Sequence, residues 1–285
     1  MSLHAIGIYR ETLHSPAREF DDVEILRLTG LELEKEGFKV TMKRAEELTD
    51  AAWWNETRPD FAFIMCEKEA ILHRLEEWEK RGVAVVNPIQ GIWNTYRFRM
   101  LDLVQSHKVP FPKSQLVSTA SDPEAELKNF YKDGQFQNLW IKRGDVHNTQ
   151  KDDVFLAKSL DDVRKSFERF QTRGVVQAVL QEHIEGDLVK FYGVGQSQEV
   201  WYQWFYHKNQ DLKKHPFHEP TLRKVFFTAA KALKLEVFGG DAVVTPKGDI
   251  YLIDINAWPS FALFRDHASK AIARHLTSKL ITRVA

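Results

Sequence analysis

The sequence predicts an α/β front followed by an α+β remainder, and three features carry that prediction. Strands and helices alternate over roughly the first 110 residues, as the βαβ units of a parallel sheet do. Val109-Pro110-Phe111-Pro112 is a rigid, extended break. Beyond it, strands at 237–244 and 250–257 are joined by Thr245-Pro246-Lys247-Gly248-Asp249, a turn sequence that makes them antiparallel neighbours.

In the front segment, residues 5–9 read as a short buried strand. Residues 20–37 read as a helix, since Val23, Leu26 and Leu33 keep helical spacing and Ile25, Leu28 and Leu31 widen the apolar stripe. Residues 38–42 alternate as a strand and 60–66 form another. Residues 68–81 make an amphipathic helix closed by Gly82, a natural C-cap. A strand at 83–86 stops at Asn87-Pro88. After the break come strands at 114–117, 138–142, 154–157, 176–182, 187–194 and 200–207, and helices at 122–132, 160–171 and 221–235. The two paired strands and a helix over 266–281 finish the chain.

The 285 residues are 43% hydrophobic and 28% charged, which excludes a disordered chain. Lys+Arg and Asp+Glu number 40 each, and this zero balance argues against a nucleic-acid or membrane partner. The single cysteine, Cys66, allows no internal disulfide, so a reduced, cytoplasmic setting is expected. No apolar run approaches the ~20 residues of a membrane span, and the start lacks a signal-peptide pattern. Ser-His-Asp, Cys/His metal and Walker A patterns are absent.

The richest chemistry is near the end. In Tyr251-Leu252-Ile253-Asp254-Ile255-Asn256, alternation places Asp254 and Asn256 on one face with Leu252. The turn brings Asp241 of the preceding strand beside Asp254. Two carboxylates and an amide oxygen form an all-oxygen set suited to Mg²⁺, with phosphates and water completing the octahedron. The surrounding residues are apolar, and carboxylates buried there are costly without a counter-ion.

At this point the chain resembles the ATP-grasp superfamily. Asp241 and Asp254-x-Asn256 are similar to its metal-binding strand pair. Gln181-Glu182-His183-Ile184-Glu185-Gly186-Asp187 resembles its interdomain hinge, where Gln181 and the backbone near Glu182 and Ile184 would meet adenine and Asp187 the ribose. Asn138-Leu139-Trp140-Ile141-Lys142 resembles the lid strand whose lysine meets ATP phosphates, and Arg97 falls where a phosphate-binding Lys or Arg stands on a preceding helix. The resemblance spans residues 89–275. It implies an ATP-grasp fold with an N-terminal parallel-sheet (pre-ATP-grasp) domain: residues 1–111 on the substrate side, 112–184 as lid, and 185–285 as core with the metal site.

Within the superfamily, Asp254 where carboxylate ligases carry Glu, the continuation Ala257-Trp258-Pro259-Ser260-Phe261, and the lid pair His147-Asn148 are similar to inositol-phosphate and diphosphoinositol kinases. The lid loop departs from a phosphate cradle, with one glycine, Gly144. The expectation is therefore a kinase using ATP and two Mg²⁺ ions to phosphorylate an oxygen of a small anionic metabolite, with Lys190, His147 and Arg265 as catalytic candidates. Arg10, Arg18, Lys213 and Lys214 would join Lys190 and Arg265 around the polyanion, and the aromatic stretch 201–208 offers either a pocket wall or sheet core. The alternative is a carboxylate–amine ligase acting through an acyl phosphate. The acceptor and the oligomeric state stay open.

Overall fold

Among the described residues, three four-stranded sheets organise the chain. The computed structural model describes residues 2–15, 19–132, 135–146, 149–195 and 201–284, the last four by backbone alone. The first sheet is built from β1 (His4–Ile8), α1 (Glu19–Lys35), β2 (Lys39–Lys43), α2 (Ala51–Glu56), β3 (Phe61–Ile64), α3 (Glu69–Lys80) and β4 (Ala84–Val86). Its strands run parallel in the order β2-β1-β3-β4, each crossover carried by a helix. Both faces of β3 are covered, Ala62 and Ile64 in one core and Phe61 and Phe63 in another, which is why its sequence is continuously apolar. Gly82 closes α3 at φ +89°. The sequence does not reveal α2, because six residues are too few for a periodic stripe; the Asp50 side chain starts it by accepting from the Ala52 amide.

Two short helices, α4 (Ile89–Asn94) and α5 (Arg97–Ser106), lead to the proline-rich break at Val109–Pro112. The second sheet comprises β5 (Ser114–Ser118), β6 (Leu139–Arg143), β7 (Val154–Ala157) and β8 (Gln177–Glu182), with α6 (Pro123–Phe130) and α7 (Leu160–Thr172) against it. It is antiparallel in the order β5-β8-β6-β7 and has its own core, including Val117, Phe130, Ile141 and Phe167.

The third sheet holds β9 (Asp187–Val194), β10 (Tyr202–Tyr206), β11 (Val237–Val244) and β12 (Ile250–Ala257), antiparallel in the order β10-β9-β11-β12. It is backed by α8 (Glu219–Leu233), and the closing helix α9 (Arg265–Val284) returns to α1. Phe191 of β9 stacks on Phe226 of α8 with centroids 4.4 Å apart. The aromatic strand β10 divides its rings between two cores, Tyr202, Trp204 and Tyr206 to one side and Phe205 to the other. These rings pack against sheet core, one of the two expected placements.

The first and third sheets share both of their cores. Asn87, legible in sequence only as a strand stop, joins them. It is fully buried, accepts from the amides of Glu236 (2.7 Å) and Val237 (2.8 Å), and donates to the Val237 carbonyl (2.7 Å). Asn87→Ala would strand these backbone groups in an apolar junction. We expect it to cost about 2–4 kcal/mol, read as a lower midpoint in denaturant unfolding.

Candidate functional site

The turn after β11 places Asp241 directly opposite Asp254. The register then slips: Asp241 faces Asp254 but Ala242 faces Leu252, so Ile253 is the extra residue of a β-bulge. This corrects the expected alternation. Leu252 turns into the core with Ile255, while Ile253 and Asp254 both face the cleft between the second and third sheets. Asn256 stands opposite Gly239 on β11.

Three cations converge on these carboxylates. Arg97 Nη2 donates to Asp254 Oδ2 at 2.9 Å, and its side chain is 2% exposed. Lys190 Nζ donates to Asp241 Oδ1 at 2.6 Å. Lys142 Nζ donates to the Ile253 carbonyl at 2.9 Å. Burial is the largest influence on Lys142; it outweighs the attraction of Asp254, and Arg97 adds repulsion, so its pKa falls to about 8.

Arg97 also ties down the loop that follows β6. The first amides of α5, on Arg97 and Phe98, donate to the carbonyls of Asp145 (3.1 Å) and Gly144 (2.9 Å). Arg97 Nη1 donates to the carbonyls of Arg143 and Val146. The loop's far end is held by buried Asp153, which accepts from the amides of Thr149 and Gln150 and pairs with Arg143 and Arg173. Burial raises the Asp153 pKa, but these donors and cations outweigh it and hold it at about 2. His147 and Asn148 lie outside the described residues.

The cleft encloses about 260 Å³. Lys142 and Trp140 enter it from alternate positions of β6, and Gln181, Glu182, His183 and Ile184 enter from the end of β8. Trp140 Nε1 donates to His183 Nδ1, and His183 Nε2 meets Glu185, which steadies this wall. Gly186 lets the chain pass Val244, because a Cβ there would sit 2.2 Å from the Val244 carbonyl. Trp140 was legible in sequence: it shares a strand face with Lys142 two residues on.

Asp187 needs correction. It is 1% exposed, and its two oxygens accept from the amides of Lys213 (2.7 Å) and His215 (2.6 Å). Both oxygens are thus engaged within the chain, closing the loop at 213–215. Arg265 is also placed elsewhere, paired with Asp21 of α1 at 2.6 Å. Arg10 donates to the carbonyls of Ala257 and Trp258 and approaches Asp22 and Glu67. Lys213 is exposed and pairs with Asp211, and Lys214 is exposed. Arg18 lies outside the described residues. Of the expected polyanion-binding group, Lys190 alone among the described residues meets the carboxylate pair. Among the described residues no group of three or more His, Cys, Asp or Glu side chains is placed to hold a metal; of the expected cation set, Asp241 and Asp254 line the cleft together. No described helix is long and apolar enough to cross a membrane.

No protein-family model matches the sequence, and no curated protein matches it. Solved structures do. A D-alanine–D-alanine ligase from Bacillus anthracis complexed with ATP superimposes with a TM-score of 0.74 at 13% identity, covering 100% of this chain and 99% of that one. The VanG D-Ala:D-Ser ligase from Enterococcus faecalis gives 0.71 at 14% identity, with both chains covered 100%. A RimK domain ATP-grasp protein from Sphaerobacter thermophilus gives 0.72 at 14% identity, covering 96% of this chain and 99% of that one. At such identities the likeness is one of architecture. With two antiparallel sheets facing across a cleft, preceded by a parallel sheet, the chain has the ATP-grasp fold.

Proposed function

We propose that the protein is an ATP- and Mg²⁺-dependent ligase that activates a carboxylate with ATP and joins it to an amine. The observation that carries this reading is the convergence of Lys142, Arg97 and Lys190 on Asp241 and Asp254 at one end of the cleft. Three cations opposite paired carboxylates suit a polyphosphate and its metal, since each charge would otherwise be held at a desolvation cost. Trp140, Gln181, His183 and Ile184 would hold the nucleobase at the other end. Asp241, Asp254 and Asn256 would hold the metal, two ions being completed by phosphate oxygens and water. When bound, Mg²⁺ supplies divalent positive charge against the phosphates. The chain's own part is positioning and charge: Lys142 and Arg97 approach the phosphates from the lid side and Lys190 from the core sheet, as phosphoryl transfer requires.

The non-nucleotide substrate would sit apart from the nucleotide. A cavity of about 360 Å³ opens at the ends of β1 and β2, lined by Tyr9, Arg10, Phe20, Asp22, Arg44 and Glu46. Such strand ends are where α/β sheets receive ligands. Arg10 links this cavity to the residues that follow Asn256. The mixture of acids, arginines and aromatic rings fits a zwitterionic or amide-bearing molecule better than a polyphosphate.

Two observations favour ligase over kinase: the basic side chains expected around a polyanion are scattered, and similar folds include ligases. The test follows phosphorus in a reaction of Mg·ATP with carboxylate and amine pools. We expect ADP and free phosphate in equal amounts, formed only when both substrates are present. ADP formed without free phosphate, with the phosphoryl group kept on a single acceptor, would establish the kinase instead.

A further inference from the structure

We infer that Ser114 and Gln181 form a selector that makes the cleft accept a 6-amino purine and refuse a 6-oxo purine. The inference rests on the proposed nucleotide site and assigns its base specificity to a hydrogen-bond chain that begins at Pro112.

Gln181 and Ser114 are cross-strand partners on β8 and β5, and Trp140 is the partner of Gln181 on β6. Gln181 and Trp140 line the cleft. Gln181 is 2% exposed, so its amide cannot be neutralised by bulk water. An amide has one donor end and one acceptor end, and its neighbours decide which way round it sits. Here the order is set from outside. The Ser114 hydroxyl donates to the Pro112 carbonyl at 3.0 Å, and its proton is spent there. Its oxygen is then left to accept, and Gln181 Nε2 donates to it at 3.2 Å. Oε1 engages in no hydrogen bond among the described residues, so the amide offers the cleft an acceptor.

The Pro112 carbonyl is a fixed anchor because the segment cannot relax. Pro110 and Pro112 restrict the backbone of Val109–Pro112, and the Pro110 carbonyl accepts from the Leu252 amide of β12. Turning the Gln181 amide over would pull the Ser114 proton away from Pro112 and lose one hydrogen bond. An acceptor in this place pairs with an exocyclic amino group and repels a carbonyl oxygen. The purine base is therefore chosen at position 6, by a serine that itself need not touch it.

Equilibrium titration of the full chain with Mg·ATP and Mg·ITP tests this, since the two bases differ only at position 6 and the adjoining N1 proton. Wild type should bind ATP about 10- to 100-fold more tightly than ITP. Ser114→Ala frees the amide to turn, and the ATP/ITP ratio should fall about five- to tenfold, chiefly through tighter ITP. The N1 difference is common to both proteins, so the change in ratio reads the amide alone. Adding Gln181→Glu to Ser114→Ala should restore the preference, because a carboxylate offers acceptors whichever way it turns. A ratio unchanged by Ser114→Ala, or ATP and ITP bound equally by wild type, overturns the selector while leaving a nucleotide site. Failure of both triphosphates to bind overturns the nucleotide site, and the selector with it.

Discussion

Asp254→Asn is expected to lower turnover about 10²- to 10³-fold, the loss typical of removing one well-placed electrostatic group from a reacting centre. The substitution keeps the side chain's size and one of its acceptors, so Oδ1 can still receive the Ile255 amide as it does now at 3.1 Å. What disappears is the negative charge shared between Arg97 and the proposed cation site. Arg97 keeps its bonds to the Arg143 and Val146 carbonyls, so the loop after β6 stays attached. Losing its carboxylate leaves a buried guanidinium less well matched, and the variant should unfold at a lower temperature while keeping its circular dichroism spectrum. Turnover equal to wild type in a folded Asp254→Asn protein would make the Arg97–Asp254 pair a structural tie with no part in catalysis.

Lys142→Met should produce the opposite pairing of effects, a more stable protein that handles ATP poorly. The folded lysine has a pKa of about 8 against an ordinary 10.5. Because the folded value is depressed, the folded state holds fewer protons than the unfolded chain between these two pH values. Stability from this group therefore rises with pH from about 8 to about 10.5, and below about 8 the fold carries the full burden of a buried ammonium. That burden is worth on the order of 3 kcal/mol. Methionine removes it, so the variant should gain stability at neutral pH and lose the rise above pH 8. The same change deletes a charge-assisted contact to phosphate, and ATP affinity should fall about 10- to 100-fold. A Lys142→Met protein that is less stable and binds ATP normally would identify Lys142 as a packing residue.

Much of this site can be read along the chain because its parts are local or periodic. The turn Thr245-Pro246-Lys247-Gly248-Asp249 forces Asp241 and Asp254 together, and period-two alternation puts Trp140 and Lys142 on one face. The bulge at Ile253 has no such local sign. It arises where Asp241 and Asp254 pair and Ala242 must still reach Leu252, and it reverses the face on which Leu252 lies. Partners distant in sequence are harder still. Arg97 reads as one cation on a helix, yet its contacts come from the loop after β6 and from β12. Asp187 reads as a hinge acid until the loop at 213–215 folds back and uses both its oxygens. Arg10 and Arg265 look free to grip an anion because Glu67, Asp22 and Asp21 are not adjacent in the chain. Charged residues announce that a partner is needed, and only the tertiary fold says whether a ligand or the protein supplies it.

Calorimetric titration of Mg·ATP at pH 7 and pH 9, in buffers of different ionisation enthalpy, decides whether the cleft is a nucleotide site. With a pKa of about 8, Lys142 is mostly charged at pH 7 and mostly neutral at pH 9 in the free protein. Phosphate contact requires the charged form. Binding should therefore occur at both pH values, weaken at pH 9, and take up close to one proton there, roughly nine-tenths by the titration of a single group. Lys142→Met should take up none. The absence of any Mg·ATP binding by wild type, or uptake identical in the two proteins, would contradict a nucleotide held between Lys142 and the carboxylate pair.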